Sequence, residues 1–349
     1  MAAMGRGWGT SVHGAATLQY IQVFGTRANH QLASLNWGMV EATGPAAGGS
    51  LRVRVMASAE PLTVPEPGYP QLLQEAFVDH GTTITDRMHP NHWLMEVSAR
   101  YERRGLSLYV APIGAPALGP QVYMHRPSAM FDPVAPLAHH SQDGTHASFG
   151  VVSLGLSTRR LRLEGSAFND RQPDDADAVF YYKDAHLDAY SGRLSVQASP
   201  AWSLAAWYGY LPAVTGAHAH DGRHRVGVAA KFERRALFVT MAYGADDPIG
   251  AEGRRHTLLV EGTLKSFFGR VEYVQRTAAD LGLVGSVSPE QNLSSASLGY
   301  ARLLGSRSGW TLRLVARGNV AFIPRELVTF YGHLPLGVQA YLHVTPAAP

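Results

Sequence analysis

Seven of the sixteen histidines, His80, His89, His92, His125, His139, His140 and His146, crowd into two stretches of this 349-residue chain. Neutral imidazole is a good ligand for zinc, copper or nickel, and a carboxylate such as Asp143 or Asp132 completes a borderline site. The candidate ligand set is His89, His125, His139, His140, Asp143 and His146, with zinc or copper as the ion. These spacings match no closed metal signature. A structural reading therefore stands beside it: an inward-folded loop, ordered by prolines and by imidazole hydrogen bonds to backbone, that narrows a pore.

A second pair, His146 and Ser148, lies two residues apart at the start of an apolar stretch. On a strand both side chains face one way, so the imidazole could take the hydroxyl proton for ester hydrolysis of a lipid. No third, orienting residue can be named, and the expectation leans away from an enzyme.

The elements that must hold these residues alternate in polarity. Between Asp188 and Ala198, Tyr190, Leu194, Val196 and Ala198 share one face, while Ser191, Arg193, Ser195 and Gln197 share the other. Trp202, Leu204, Ala206, Tyr208 and Tyr210 repeat the pattern after a three-residue gap, which spells a hairpin. Alternation alone fits a soluble sandwich as well as a barrel. Connection lengths decide. Tight turns at 103–105, 158–159, 199–201, 234–235 and 266–267 alternate with long excursions such as 60–91, 114–145, 169–186 and 278–291. Short turns then fall on one rim and long loops on the other. The fold class expected is all-β: a transmembrane antiparallel up-and-down barrel of about sixteen strands, with fourteen or eighteen as the neighbouring counts.

The polar faces predict a pore lining of Glu96, Arg100, Arg162, Glu164, Arg193, Arg225, Glu261, Lys265, Arg270, Glu272, Arg313 and Arg317, with Lys231 and Glu233 beside them. Opposite charges interleave from strand to strand, which suits cross-strand ion pairs better than paired catalytic carboxylates. Trp8, Trp37, Trp93, Tyr101, Trp202, Tyr208, Tyr210 and Trp310 sit near predicted strand ends, where amphipathic rings prefer the headgroup level. One short helix is expected within Gly68–Phe77, with a proline near its start.

Bulk composition agrees. Charged residues are 16 % and hydrophobic ones 46 %, with no linker or charge block, so residues 1–349 read as a single domain carrying histidine-rich loops at 60–91 and 114–145. The absence of cysteine excludes disulfides, thiolate metal sites and cysteine nucleophiles. A net charge of +3 with scattered arginines excludes a nucleic-acid groove. A secreted barrel is expected to begin with a leader, and Met1 to Thr10 shows no charged start followed by an apolar run.

Gly68-Tyr69-Pro70, His89-Pro90, Gly114 to Pro120, the HRPSAM run His125 to Met130, Asp132-Pro133, the HHxxDxTH run His139 to His146, Phe149-Gly150-Val151 and Tyr190 to Leu194 together resemble a family of bacterial outer-membrane barrel proteins without an assigned substrate. The resemblance spans nearly the whole chain. It implies the barrel architecture, an outer-membrane location and a role for the histidine loops. It departs where Asn91-His92 stands for an expected His-Asp pair and Ser141 for a tryptophan.

Three functions follow as expectations. The first is a porin-like channel handling small solutes, metal ions or their small complexes, with loop 114–145 folded into the pore. The second is a surface metal-binding barrel, and the third a lipid acyl hydrolase using His146 and Ser148. Expected partners are outer-membrane lipid, lipopolysaccharide and the barrel-assembly machinery; oligomeric state is open.

Overall fold

The computed structural model describes residues 7–79, 81–171, 186–214, 221–250 and 253–347, which leaves His80 outside. Sixteen antiparallel strands form the wall. They are β1 (Gly9–Val23), β2 (Asn29–Ala33 continued by Asn36–Ala46), β3 (Gly49–Ala57), β4 (Leu94–Arg103) and β5 (Leu106–Gly114). Next come β6 (Ser148–Ser157), β7 (Leu161–Asn169), β8 (Ala189–Gln197), β9 (Trp202–Leu211) and β10 (Arg223–Arg234). The last six are β11 (Leu237–Pro248), β12 (Arg255–Leu264), β13 (Phe267–Thr277), β14 (Glu290–Arg307), β15 (Trp310–Phe322) and β16 (Leu336–Pro346). Each pairs with its sequence neighbour, and β16 pairs with β1 from Ala16 opposite Val344 to Val23 opposite Gly337, which closes the cylinder. The interruption in β2 is stitched by Thr17, whose hydroxyl donates to the Leu35 carbonyl (3.0 Å) and accepts from the Leu35 N–H (3.1 Å).

Two-residue turns at Arg104-Gly105 and Ser308-Gly309 hold both residues at positive φ (50° and 84°, 53° and 80°), the left-handed pair whose twist matches flanking strands. These turns share one rim with 47–48, 158–160, 198–201, 235–236 and 265–266, and the long connections share the other. The expected rim asymmetry holds, with turn positions shifted by a residue in places.

The outer wall is apolar. Leu154 is 67 % exposed and Leu163 56 %, on neighbouring strands, and similar side chains face outward around the circuit. A belt of this kind is stable against lipid and a liability in water, and with the closed cylinder it places the chain in an outer membrane. Near the loop rim, outward Tyr208 and Tyr243 hydroxyls bond His224 and His256 at 2.8 and 2.7 Å, and Tyr273 bonds Asn292. Trp8, Trp93, Trp202 and Trp310 are exposed as a girdle requires. Trp37 departs from that expectation: it faces the lumen and meets the His125 ring edge-on at 4.6 Å. Trp207 is also inward, lying flat over Gly227, where the missing Cβ leaves room for an indole.

The interior is not hydrophilic throughout. At the loop rim, inward Val23, Val274, Leu293 and Ala321 from the wall pack with Leu72, Leu73, Leu137, Leu281, Leu327 and Tyr331 from the connections, a protein core inside the barrel. The expected helix at 68–77 is absent. Tyr69–Pro70 pairs with Arg87–Met88, and the Gln71 and Leu73 N–H groups donate to the Asp86 carbonyl (2.9 Å) and carboxylate (2.7 Å). Those bonds, with Leu72 and Leu73 drawn into the core, outweigh the small gain of an isolated helical turn.

Candidate functional site

Residues 115–147 connect β5 to β6 by running inside the barrel. A loop buried this way carries main-chain carbonyls that water cannot reach, and each needs a donor. Arginines of the wall supply them. Arg225 donates to the His140 carbonyl (2.9 Å), Arg270 to Val134 (2.9 Å) and Arg276 to Leu137. Side chains add to the tether: Arg317 Nε donates to Asp132 (3.1 Å), Ser128 Oγ donates to Glu261 (2.9 Å), and Thr263 Oγ1 donates to the Ser128 carbonyl (2.8 Å). The Ala138 N–H donates to Glu272 at 3.3 Å.

Within the loop, Asp143 is a hub. It accepts from His139 Nδ1 (2.5 Å) and from the Tyr123 N–H (3.0 Å), and lies 3.5 Å from Arg126. Burial alone would raise its pKa; His139 and then Arg126 outweigh burial and hold the carboxyl below its usual range. Arg126, 1 % exposed, sits between Asp143 and Glu261 (2.8 Å) in ion pairs whose angles are too bent for aligned hydrogen bonds.

On its other side the loop borders a cavity of about 1290 Å³ that reaches toward the turn rim. Its wall on β2 to β8 is a ladder of alternating charge. Glu41 pairs with Arg54 (2.7 Å), Arg54 with Glu96 (3.3 Å), Arg162 with Glu102 (3.4 Å), and Glu164 receives Arg100, Arg162 and Arg193 at 3.3, 3.0 and 3.0 Å. Arg100 lies over the Tyr109 ring and reaches Glu164 diagonally across two intervening strands, past the row Ser107 and Gly155 that separates Glu102 from Glu164; a Cβ on Gly155 would lie 2.4 Å from the Ser107 hydroxyl.

Of the expected lining, Glu96, Arg100, Arg162, Glu164 and Arg193 border this cavity, as does Lys231. Arg225, Glu261, Arg270, Glu272 and Arg317 face inward but are covered by the loop, and Arg313 stacks over Phe131 at 5.1 Å. Lys265 is a correction. It occupies the β12–β13 turn at φ 54°, exposed on the rim, because the turn begins one residue earlier than the sequence suggested. Glu233 is likewise exposed at a strand end.

The histidines separate. His89, His92, His139, His140 and His146 form a chain of neighbouring rings with centroids 5.3 to 5.9 Å apart, brought together from loop 58–93 and the inner loop. His125 is elsewhere, against Trp37, and burial, then Arg54 and His13, lowers its pKa to about 4. Burial lowers His146 to about 3, with His139 next in effect. Asp143 is committed to His139, Arg126 and Tyr123. Among the described residues no three histidine or acidic side chains already converge on one point. The five rings belong to loop 58–93 and the inner loop and His125 stands apart from them, so the six expected ligands do not meet at one point. His146 and Ser148 do not form a catalytic pair. Ser148 Oγ donates to the Thr145 carbonyl (2.9 Å) and His146 Nδ1 to the Asp143 carbonyl (3.2 Å), because a 3₁₀ turn at Gly144–Ala147 precedes the strand and sets the two side chains in different surroundings.

Sequence reasoning left out Arg54, whose alternation in Leu51 to Val55 was readable, its partner Glu41 on β2, and Arg126, Ser128 and Glu60, for which a loop sequence carries no periodic signal. Glu60 is buried, accepts from the Asn36 and Asn91 N–H groups (3.0 and 2.7 Å), and burial pushes its pKa up to about 7.

No family model matches the chain, and no curated protein matches it in sequence. Among solved structures it is similar to in-vitro folded OmpT of Vibrio cholerae, in trimer form (8 % identity, 96 % of this chain and 99 % of that one, TM-score 0.55). It is also similar to Salmonella typhi OmpF in complex with daunomycin (10 %, 96 % and 97 %, 0.55) and to the outer membrane channel DcaP of Acinetobacter baumannii (10 %, 97 % and 97 %, 0.53). The shared property is the fold: a closed barrel of the porin-like outer-membrane type.

Proposed function

We propose that this barrel is a channel for small hydrophilic solutes, metal ions or their small complexes among them. The observation that carries the reading is the charged cavity. A wall built only for stability would be better served by apolar packing than by a ladder of guanidinium and carboxylate groups facing open space. The inner loop is the narrowing element, as its arginine tethers hold it across the lumen. Among the described residues the apolar core packs connections 58–93, 278–289 and 323–335 against the wall at the loop rim, and a movement that parts them would widen the passage. The likeness to a solved outer membrane channel supports the architecture of this reading. Reconstitution in planar bilayers tests it: folded protein is expected to give discrete conductance steps, and a heat-modifiable, folded barrel that never conducts under applied voltage overturns it.

A further inference from the structure

One stretch of the cavity wall carries more positive charge than its carboxylates balance. From that surplus we propose a binding site for a small dianion, a dicarboxylate or a phosphate ester, formed by Arg162, Arg193 and Lys231. The inference deepens the channel reading by naming the class of solute. It rests on that reading for the route, while binding itself is measured without conduction. The balance differs between two parts of one cavity. On β2 to β4, Glu41 and Glu96 meet Arg52 and Arg54 two for two, with contacts of 3.4, 2.7 and 3.3 Å. On β4, β7, β8 and β10, Arg100, Arg162, Arg193 and Lys231 face Glu102 and Glu164. Three guanidinium groups share those two carboxylates. Among the described residues no carboxylate lies within ion-pair distance of Lys231, whose Nζ donates instead to Gln121 Oε1 (3.4 Å). Four cations against two anions leave two positive charges without a partner of opposite sign.

The register sets this surplus around a floor of small residues. Arg162 stands opposite Ser195, Ser195 opposite Ala205 and Ala205 opposite Ala229, while Lys231 stands opposite Ser203. β7 and β10 are three strand spacings apart, about 14 Å, so long basic side chains flank a row that is itself short. Ser195 borders the cavity, and among the described residues its hydroxyl has no protein partner. Donors also remain on the arginines. Arg193 commits Nη2 to Glu164 (3.0 Å) and Nη1 to the Gly119 carbonyl (3.4 Å), which leaves Nε and a second hydrogen on each terminal nitrogen. A guanidinium fork matches the oxygens of a carboxylate or phosphate, and the ammonium supplies a point charge at the far end of the floor. A solute with two negative charges satisfies both. Because these groups keep contact with the open cavity, salt screens the attraction, and the site is one that captures and releases.

The test uses the full chain folded in a non-ionic detergent, with sodium succinate and inorganic phosphate as probes. Saturation transfer from protein to succinate protons and broadening of the phosphate phosphorus resonance report binding. In salt of about 0.01 M, where the Debye length is about 30 Å, saturable binding is expected, and the rank of the two probes tells a carboxylate from a phosphate head. Arg193→Gln and Lys231→Gln should each weaken it by fivefold or more, while Arg52→Gln, on the balanced part of the wall, leaves it within twofold. Changing Lys231 breaks no ion pair, so that variant decides where Arg193→Gln does not fold; heat-modifiable migration verifies folding. Signals that rise with both probes without saturating overturn the site, as does equal affinity in the folded Arg193→Gln, Lys231→Gln double variant. A protein that conducts but binds neither probe defeats this inference alone; one that binds them and never conducts defeats the channel reading alone.

Discussion

Two arcs of one wall use the same residue for different ends. On β4, β7 and β8, the arginines Arg100, Arg162 and Arg193 remain 20, 32 and 24 % exposed and pair with carboxylates beside open space. On β10, β13 and β15, Arg225, Arg270, Arg276 and Arg317 are 3, 2, 3 and 7 % exposed, and they hold the inner loop. A guanidinium has five donors, enough to satisfy a wall carboxylate and a loop carbonyl together. The difference lies in what faces the arginine, and the strand pattern cannot reveal it. An arginine beside water contributes to the field of the lumen, whereas a covered one fixes the chain that covers it.

The largest test of this contrast is Arg270→Ala. It leaves the Val134 carbonyl without its donor and strips Glu261 and Asp132 of a buried partner, at an expected cost of about 3–5 kcal/mol. Urea unfolding in micelles measures the loss, and proteolysis within 115–147 and a raised conductance would report the loosened loop. Glu60 extends the contrast to a buried carboxyl held by amide donors without an arginine. Because burial raises its pKa to about 7 from 4.5, the neutral form is favoured in the fold. Stability from this group is therefore full below about pH 4.5 and falls as pH rises through 7, by on the order of 3 kcal/mol. Glu60→Gln should flatten the unfolding free energy over that window; an unchanged slope would remove Glu60 as its source. The smallest effect belongs to Arg162→Ala, whose partly exposed pairs are worth less than about 1 kcal/mol. Its readout is ionic, a reversal potential displaced toward cations. Equal destabilisation by Arg162→Ala and Arg270→Ala would erase the distinction between the arcs.

The wall was legible because a strand writes its two environments in alternate residues: Leu194 and Arg193, or Val228 and Arg225, name their faces directly. Rim asymmetry was legible from connection lengths. The loops were not. Gly68–Phe77 read as a helix because local propensity cannot foresee the Asp86 acceptors that claim the Gln71 and Leu73 N–H groups. Lys265 read as lining because a one-residue shift in a turn reverses a face. The histidines were visible as a group, but only the packing of two distant loops separates His125 from His89 and His140.

The tethers on the inner loop have a consequence for how this barrel can vary. Arg225, Arg270 and Arg276 grip carbonyl oxygens, which every amino acid supplies, so the grip does not depend on the identities of His140, Val134 or Leu137. Lumen shape can therefore be rewritten letter by letter along the loop while its path stays fixed, and one scaffold accommodates many apertures without being rebuilt.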